Sequence, residues 1–410
     1  MPNPTTTTKP SLLSLFSLHT LHLLVLCSWF TTSSAKATSY NVVDFGAKPE
    51  GTTDATSAFL GAWNKACSSP KPAGIHVPQG RFLIGRAVTF SGQCSNRAIS
   101  ITIRGTLLAP SQYTFLGNSL YWFTFDQVTG LSIHGGVLDA RGSFLWDCKY
   151  KAMPNCPIGA ATLRFTNSEH IVITGLTSEN SQKVHILINA CHNVKMHGVK
   201  LMADGNSPNT DGIHVQFSTD VTILAPRIQT GDDCISVGPG CRNLWIEDVA
   251  CGPGHGISIG SLGWDLDEPG VKNVTVRKAT FSKTQNGFRI KSWGRPSRGF
   301  VQDVHFEHAT MNDVQNPIII DQHYCPFRNG CPSQASGVKI SDVSYKDIHG
   351  TSATQVAVKF DCSSEQPCER ITLEDITFTY KINKAPQALC NHAGGITLGV
   401  VQPQSCFLTE

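Results

Sequence analysis

Residues 231–238 read GDDCISVG, placing two carboxylates, Asp232 and Asp233, side by side at the entry to a stretch that alternates apolar and small residues as a strand does. Adjacent like charges repel, and neighbouring strand residues face opposite sides. Folding alone gives little reason to choose such a pair. The segment DGIHV sets Asp211 two residues before Ile213, and HGISIG sets His255 two residues before Ile257. Ile213, Ile235 and Ile257 follow one another at intervals of 22 residues, so equal spacing puts Asp211, Asp233 and His255 in one column. Strands stacked about 4.8 Å apart make Asp211 and Asp233 neighbours, with Asp232 one residue earlier at the turn. Three carboxylates in one small area raise the proton affinity of at least one of them. A protonated carboxyl beside an ionised one is the equipment of general acid and base catalysis. Calcium is the competing chemistry for such a cluster of oxygens. Against it, Arg289 and Lys291 in NGFRIKSW fall one coil beyond His255 and alternate about Ile290, so both leave the same face. Cations flanking carboxylates in a groove suit an anionic ligand, and neither a metal nor another cofactor is expected.

Two further residues are ambiguous on sequence grounds. His185 in KVHILINA belongs to an alternating stretch and reads equally as a functional group or as a satisfied polar contact. Tyr345 in SYKDIHGT reads as an exposed aromatic near a strand end, where packing is its simpler role.

The elements that position these groups recur along the chain. HIVITGLTS from His170, NVKMHGVKL from Asn193, DVTILAPRI from Asp220 and NLWIEDVAC from Asn243 are variations on one phrase. It continues with NVTVRKATF from Asn273, DVHFEHATM from Asp303, GVKISDVSY from Gly337 and RITLEDITF from Arg370, at intervals of 23 to 34 residues. Between these strands lies a second set, DGIHVQ, DCISVG, HGISIG and GFRIKS. Short strands at a long, repeated period, with turns rich in Gly, Asn and Asp, predict a solenoid whose coils stack into parallel sheets. A β-sandwich would need tight hairpins, whereas these phrases recur in one orientation. The fold expected is an all-β, single-stranded parallel β-helix forming one domain over residues 36–410. A lone helical stretch, DATSAFLGAWNKAC at 54–67, is placed to cap an open end.

The chain has 410 residues with a formal charge of +3, and no long run of Lys and Arg marks nucleic acid as a partner. Residues 12–30 are strongly apolar but are interrupted by His19 and His22, preceded by Lys9, and followed by small residues at Ser33 and Ala35. This predicts a secretory signal peptide over residues 1–35, cleaved near Ala35, and a soluble extracytoplasmic monomer with no membrane contact thereafter. Of fifteen cysteines, Cys27 falls in that leader and fourteen remain, an even number that suggests disulfides, with local bridges at Cys325/Cys331 and Cys362/Cys368. Asn273-Val274-Thr275 is an N-glycosylation sequon.

SPNTDGIHV, GDDCISVG, GPGHGISIG and RIK occur here in the order and spacing of the polygalacturonases, and the chain resembles the plant members of that glycoside hydrolase family. The resemblance runs from YNVVDFGAKPEGTTDAT at 40–56 to the last cysteines. It implies a right-handed β-helix, hydrolysis of galacturonic acid linkages in pectin with inversion at the anomeric carbon, and secretion to the cell wall. It also implies that Asp232 is the general acid, that Asp211 and Asp233 hold and deprotonate the attacking water, and that His255 supports the acid. By the same resemblance Arg289 and Lys291 bind galacturonate carboxylates, Tyr345 contacts the sugar near the scissile bond, and Asn209 shapes the site. Trp264 and the segment SWGRPSRG depart from the family pattern at the surroundings of the groove and bear on subsite preference. Endo cleavage is expected over exo. A β-eliminating pectate lyase, dependent on calcium and a basic residue, and a wall-binding β-helix without catalysis are the alternative readings.

Overall fold

A computed structural model describes residues 1–2, 38–326, 330–381 and 384–407, so the leader expected at 1–35 and its cleavage point lie outside the described residues. From residue 38 onward the chain winds into a right-handed parallel β-helix of two sheets, one of 20 strands and one of 11. Every strand pair within the two sheets is parallel; one coil, for example, runs through Ile213–Gln216, Thr219–Leu224 and Arg227–Gln229. From Arg242 on, the two short strands of the larger sheet fuse into single bent strands such as Arg242–Cys251 and Val271–Ser282.

The phrase that repeats in the sequence has a backbone cause. His170, Asn193, Asp220, Asn243, Asn273 and Asp303 stack in a column with φ between 54° and 59°. Asn and Asp tolerate this left-handed conformation better than β-branched residues do, because their short polar side chains bond locally. Here they bond up the stack: Asn243 donates to Asp220 at 3.0 Å and Asn273 to Asn243 at 2.9 Å. The sequon residue Asn273 is exposed, and its amide is engaged in this ladder.

After Asp303 the structure corrects the repeat. Val304 pairs with Val343 and Phe306 with Tyr345, so the phrase restarts at Asp342 and not at Gly337. Tyr345 thereby takes the inward place of Phe306. It is wholly buried in a run of rings, 5.1 Å from Phe306 and 6.0 Å from Phe360 between centroids.

Inward residues form one continuous core. Ile213, Ile235 and Ile257 pair in successive strands as the spacing required, and with Val215, Val237 and Ile259 they are buried to within about 1%. The helix at the amino-terminal end spans Thr56–Ser68 and turns Ala58, Phe59, Ala62, Trp63 and Ala66 onto the first coils. Asp54 accepts the Thr56 amide at 2.9 Å, and Cys67–Cys94 ties the helix end down. A second helix, Ser143–Tyr150, was not legible as a helical period in the sequence.

Six disulfides form: Cys67–Cys94, Cys148–Cys156, Cys234–Cys251, Cys325–Cys331, Cys362–Cys368 and Cys390–Cys406. Both local bridges expected from spacing are among them. The even count did not mean that every cysteine pairs, because Cys191 and Cys241 are free and buried. Burial pushes their thiols up to about 11 and 12, which leaves them unreactive at neutral pH. Among the described residues no helix is long and apolar enough to cross a membrane.

Candidate active site

The outer face of the 11-stranded sheet is lined by the residues between the inward isoleucines and valines: His214, Ser236, Ser258 and Arg289 stand in one row across four successive strands. The turns that lead into these strands carry Asp211, Asp232, Asp233 and His255. Close packing fixes those turns. A Cβ on Gly256 would sit 2.1 Å from the Asn286 carbonyl oxygen, and the residue holds φ +89°, so only glycine lets the His255 turn approach the next coil. Cys234–Cys251 staples the Asp232–Asp233 turn from inside the helix.

Asp233 is buried, with 1% of its side chain exposed, and it is clamped between two cations: Arg289 Nη2 donates to Oδ1 at 2.6 Å and Lys291 Nζ to Oδ2 at 2.8 Å. Ser258 Oγ donates to Oδ1 at 2.8 Å and itself accepts Arg289 Nε at 2.9 Å. Burial alone would raise this carboxyl, but Arg289, Lys291 and these hydrogen bonds outweigh it and hold it well below the usual carboxylate range. Asp233 is therefore ionised across the working range of pH.

Asp211 has the opposite environment. Ser236 Oγ donates to its Oδ2 at 2.7 Å, yet burial, followed by the charges of Asp232 and Asp233, pushes it up to about 7. Asp232 is more open than Asp233, with 19% of its side chain exposed. Its Oδ1 accepts the Asp233 amide at 2.8 Å and faces His255 Nδ1 at 3.0 Å, while its Oδ2 has the Asn209 amide at 3.5 Å. Asp232, Asp233 and His255 also lie close enough to share a metal ion. Two fixed cations on Asp233 make that a poor cation site, since an incoming ion would face both charges at short range.

The site gathers most of the residues singled out by sequence: Asp211, Asp232, Asp233, His255, Asn209, Arg289 and Lys291. Arg289 and Lys291, expected to face substrate, are themselves buried and spend hydrogen bonds on Asp233. Two residues do not belong. Tyr345 is a core ring, as its register with Phe306 requires, and cannot touch a ligand in the groove. His185 is fully buried, its Nδ1 2.8 Å from Ser178 Oγ, and burial drives it down to about 3, so it is neutral and out of reach of substrate.

Three residues of the groove escaped the sequence reading. Tyr324 lies with its ring centroid 5.0 Å from Lys291 Nζ and 5.8 Å from the Arg289 guanidinium. It ends the strand next to that of Arg289 and Lys291, where Asp321 pairs with Lys291, and the stretch NPIIIDQHY one coil on was the available signal. His214 and Ser236, 2.7 Å apart, were visible as the outward residues of strands already aligned through Ile213 and Ile235.

Residues 67–397 match the family model described as Glycosyl hydrolases family 28. A polygalacturonase of Prunus persica is 58% identical over 394 residues, 96% of this chain and 99% of that one. An exopolygalacturonase of Platanus acerifolia is 41% identical over 83% of this chain and 90% of its own length. Among solved structures, a hyperthermoactive exopolygalacturonase from Thermotoga maritima superposes with a TM-score of 0.71 at 17% identity, covering 88% of this chain and 92% of that one.

Proposed function

The chain belongs to family 28 of the glycosyl hydrolases, and from that premise we propose how its groove carries out the reaction. It is a polygalacturonase that hydrolyses the α-1,4 bonds between galacturonic acid residues of pectin and polygalacturonate. The observation that carries the mechanism is the contrast between two adjacent carboxyls: Asp233 is held ionised by Arg289 and Lys291, while Asp211 beside it is pushed up to about 7. One carboxyl of the cluster thus holds a proton at a pH where its neighbour is ionised.

Asp211 holds a proton through the acidic range. Asp232 delivers it, because its side chain is partly exposed and its Oδ2 is held only by the long contact to Asn209, leaving room for a glycosidic oxygen. Once the proton that rests on Asp211 has passed to Asp232, Asp211 is ionised and joins Asp233 in orienting and deprotonating a water. Attack by that water on the face away from the leaving oxygen inverts the anomeric carbon. His255 orients Asp232 through the Nδ1 contact. The parts of Arg289 and Lys291 that face the groove, beside the Tyr324 ring, receive a galacturonate carboxylate.

Endo cleavage is the mode proposed, and the six disulfides support an oxidising compartment, with cell-wall pectin as the polymer met there. The working form is a secreted monomer freed of its leader near Ala35. The test uses polygalacturonate as substrate. Wild-type protein should release reducing ends without the unsaturated, ultraviolet-absorbing product of elimination, and Asp232→Asn should lower kcat by at least about a thousandfold while oligogalacturonate still binds. Near-normal turnover by a folded Asp232→Asn protein overturns the assignment of the acid. Proton magnetic resonance of the first-formed anomer decides inversion.

A further inference from the structure

Trp264 together with residues 292–299 builds a cation and aromatic platform continuous with the active site. Trp264 is 47% exposed and its ring lies 4.5 Å beneath the Arg295 guanidinium. Its edge meets Trp293 at 4.9 Å, Trp293 meets Tyr324 at 5.3 Å, and Tyr324 faces the clamping cation Lys291 at 5.0 Å. The rings therefore lead without a break from the Asp233 clamp to Arg295.

The platform is built to stay in place. Glu268 folds back on the Trp264 turn and accepts the amides of Gly263 at 2.5 Å and Trp264 at 3.3 Å. The Arg295 backbone is fixed on both sides, its amide on the Trp293 carbonyl at 2.8 Å and its carbonyl on the Gly337 amide at 2.9 Å. The neighbouring Arg298 pairs with Asp267, and Arg370 with Asp342. Arg295 differs: among the described residues no carboxylate lies within ion-pair distance of it, so its charge is left uncompensated on the groove wall.

We infer that Arg295, stacked on Trp264, is a second carboxylate-reading subsite for the polyuronate chain. A guanidinium lying on an indole keeps its N–H edge free in the plane, where it meets a carboxylate in two parallel hydrogen bonds. The exposed part of the Trp264 ring offers an apolar face to the sugar that carries that carboxylate. Arg295 thus sets preference for unesterified polymer away from the scissile bond, a role separate from the chemistry at Asp232. This rests on the polyuronate hydrolysis proposed above.

The experiment compares wild type, Arg295→Ala and Arg295→Lys on polygalacturonate, on highly methyl-esterified pectin and on digalacturonate, at one low ionic strength. Arg295→Ala should raise KM on polygalacturonate about five- to tenfold with kcat unchanged, as expected for a partly exposed charged hydrogen bond. Esterified pectin and digalacturonate should show less than about a twofold change, since one lacks the carboxylate and the other does not reach the platform. Arg295→Lys should recover only part of the loss. Trp264→Ala, which removes the stack while keeping the charge, should reproduce the pattern more weakly. A KM rise that is equal on all three substrates assigns Arg295 to the fold and overturns the inference, as does an unchanged KM on polygalacturonate. If the wild type releases no reducing ends from polygalacturonate, the underlying reading fails instead.

Discussion

Replacing Asp211 by asparagine should change how stability depends on pH. In the folded chain Asp211 titrates at about 7, pushed there by burial and by its acidic neighbours. In the unfolded chain an aspartate titrates near about 3.9. Between these values the folded state holds a proton that the unfolded state has lost, so folding is favoured most below about pH 4 and the advantage fades as pH rises to about 7. One proton corresponds to about 1.4 kcal/mol per pH unit, so the wild type should lose roughly 2 to 3 kcal/mol from this site between about pH 5 and 7. The amide that replaces the carboxyl cannot ionise and carries no such slope. Melting temperatures of wild type and Asp211→Asn, measured every half unit from about pH 4 to 8, should therefore diverge with rising pH, the variant becoming the more stable by several degrees above about pH 7 while losing activity. Asp233, held below its ordinary value, acts in the opposite sense. It stabilises above the unfolded pKa and that contribution is lost as pH falls through its folded value, outside the range scanned. Parallel curves for the two proteins across about pH 5–7 would refute the claim that the proton resides at Asp211.

Lys291→Ala removes half of the clamp on Asp233 and should cost about 3 kcal/mol of stability, the usual penalty for stripping a partner from a buried charge, read by denaturant unfolding. It should also move the acid limb of the kcat/KM profile to higher pH, because Asp233 then protonates more readily. Tyr345→Phe should leave kcat and KM unchanged and leave stability equal or slightly improved, since the phenol oxygen is buried with no partner. Tyr324→Ala should lower kcat/KM on polygalacturonate about tenfold, so kinetics on the two tyrosine variants decide which ring serves the groove.

The catalytic cluster was legible because it obeys register. Isoleucines spaced by 22 residues had to stack, and whatever stood two places before them had to share a turn. The repeat was legible for the related reason that a left-handed residue opens each phrase, which selects Asn and Asp at Asn193, Asp220 and Asn243. Legibility failed where the period changed. The Cys325–Cys331 loop lengthens one coil, and the phrase was then aligned on Gly337 when the register runs through Asp342. The family resemblance sets Tyr345 in the groove, whereas the register through Asp342 turns it into the core. The Asp233 clamp was hidden differently: alternation shows that Arg289 and Lys291 share a face, but which carboxylate they bind depends on side chains meeting across two coils. His185 likewise sits in an alternating strand entry, where sequence cannot separate the inner wall from the outer.

The clamp on Asp233 has a consequence for how the chain is made. Its partners arrive 56 and 58 residues later, on the second coil after its own. A stacked array of this kind could otherwise grow coil by coil from the ribosome, each turn settling on the one before. A nascent chain laid down only as far as residue 260 carries Asp233 one coil behind its growing end, with neither cation yet present. The low-pKa state of Asp233 therefore forms only when the strand of Arg289 and Lys291 docks, and catalytic competence appears no earlier.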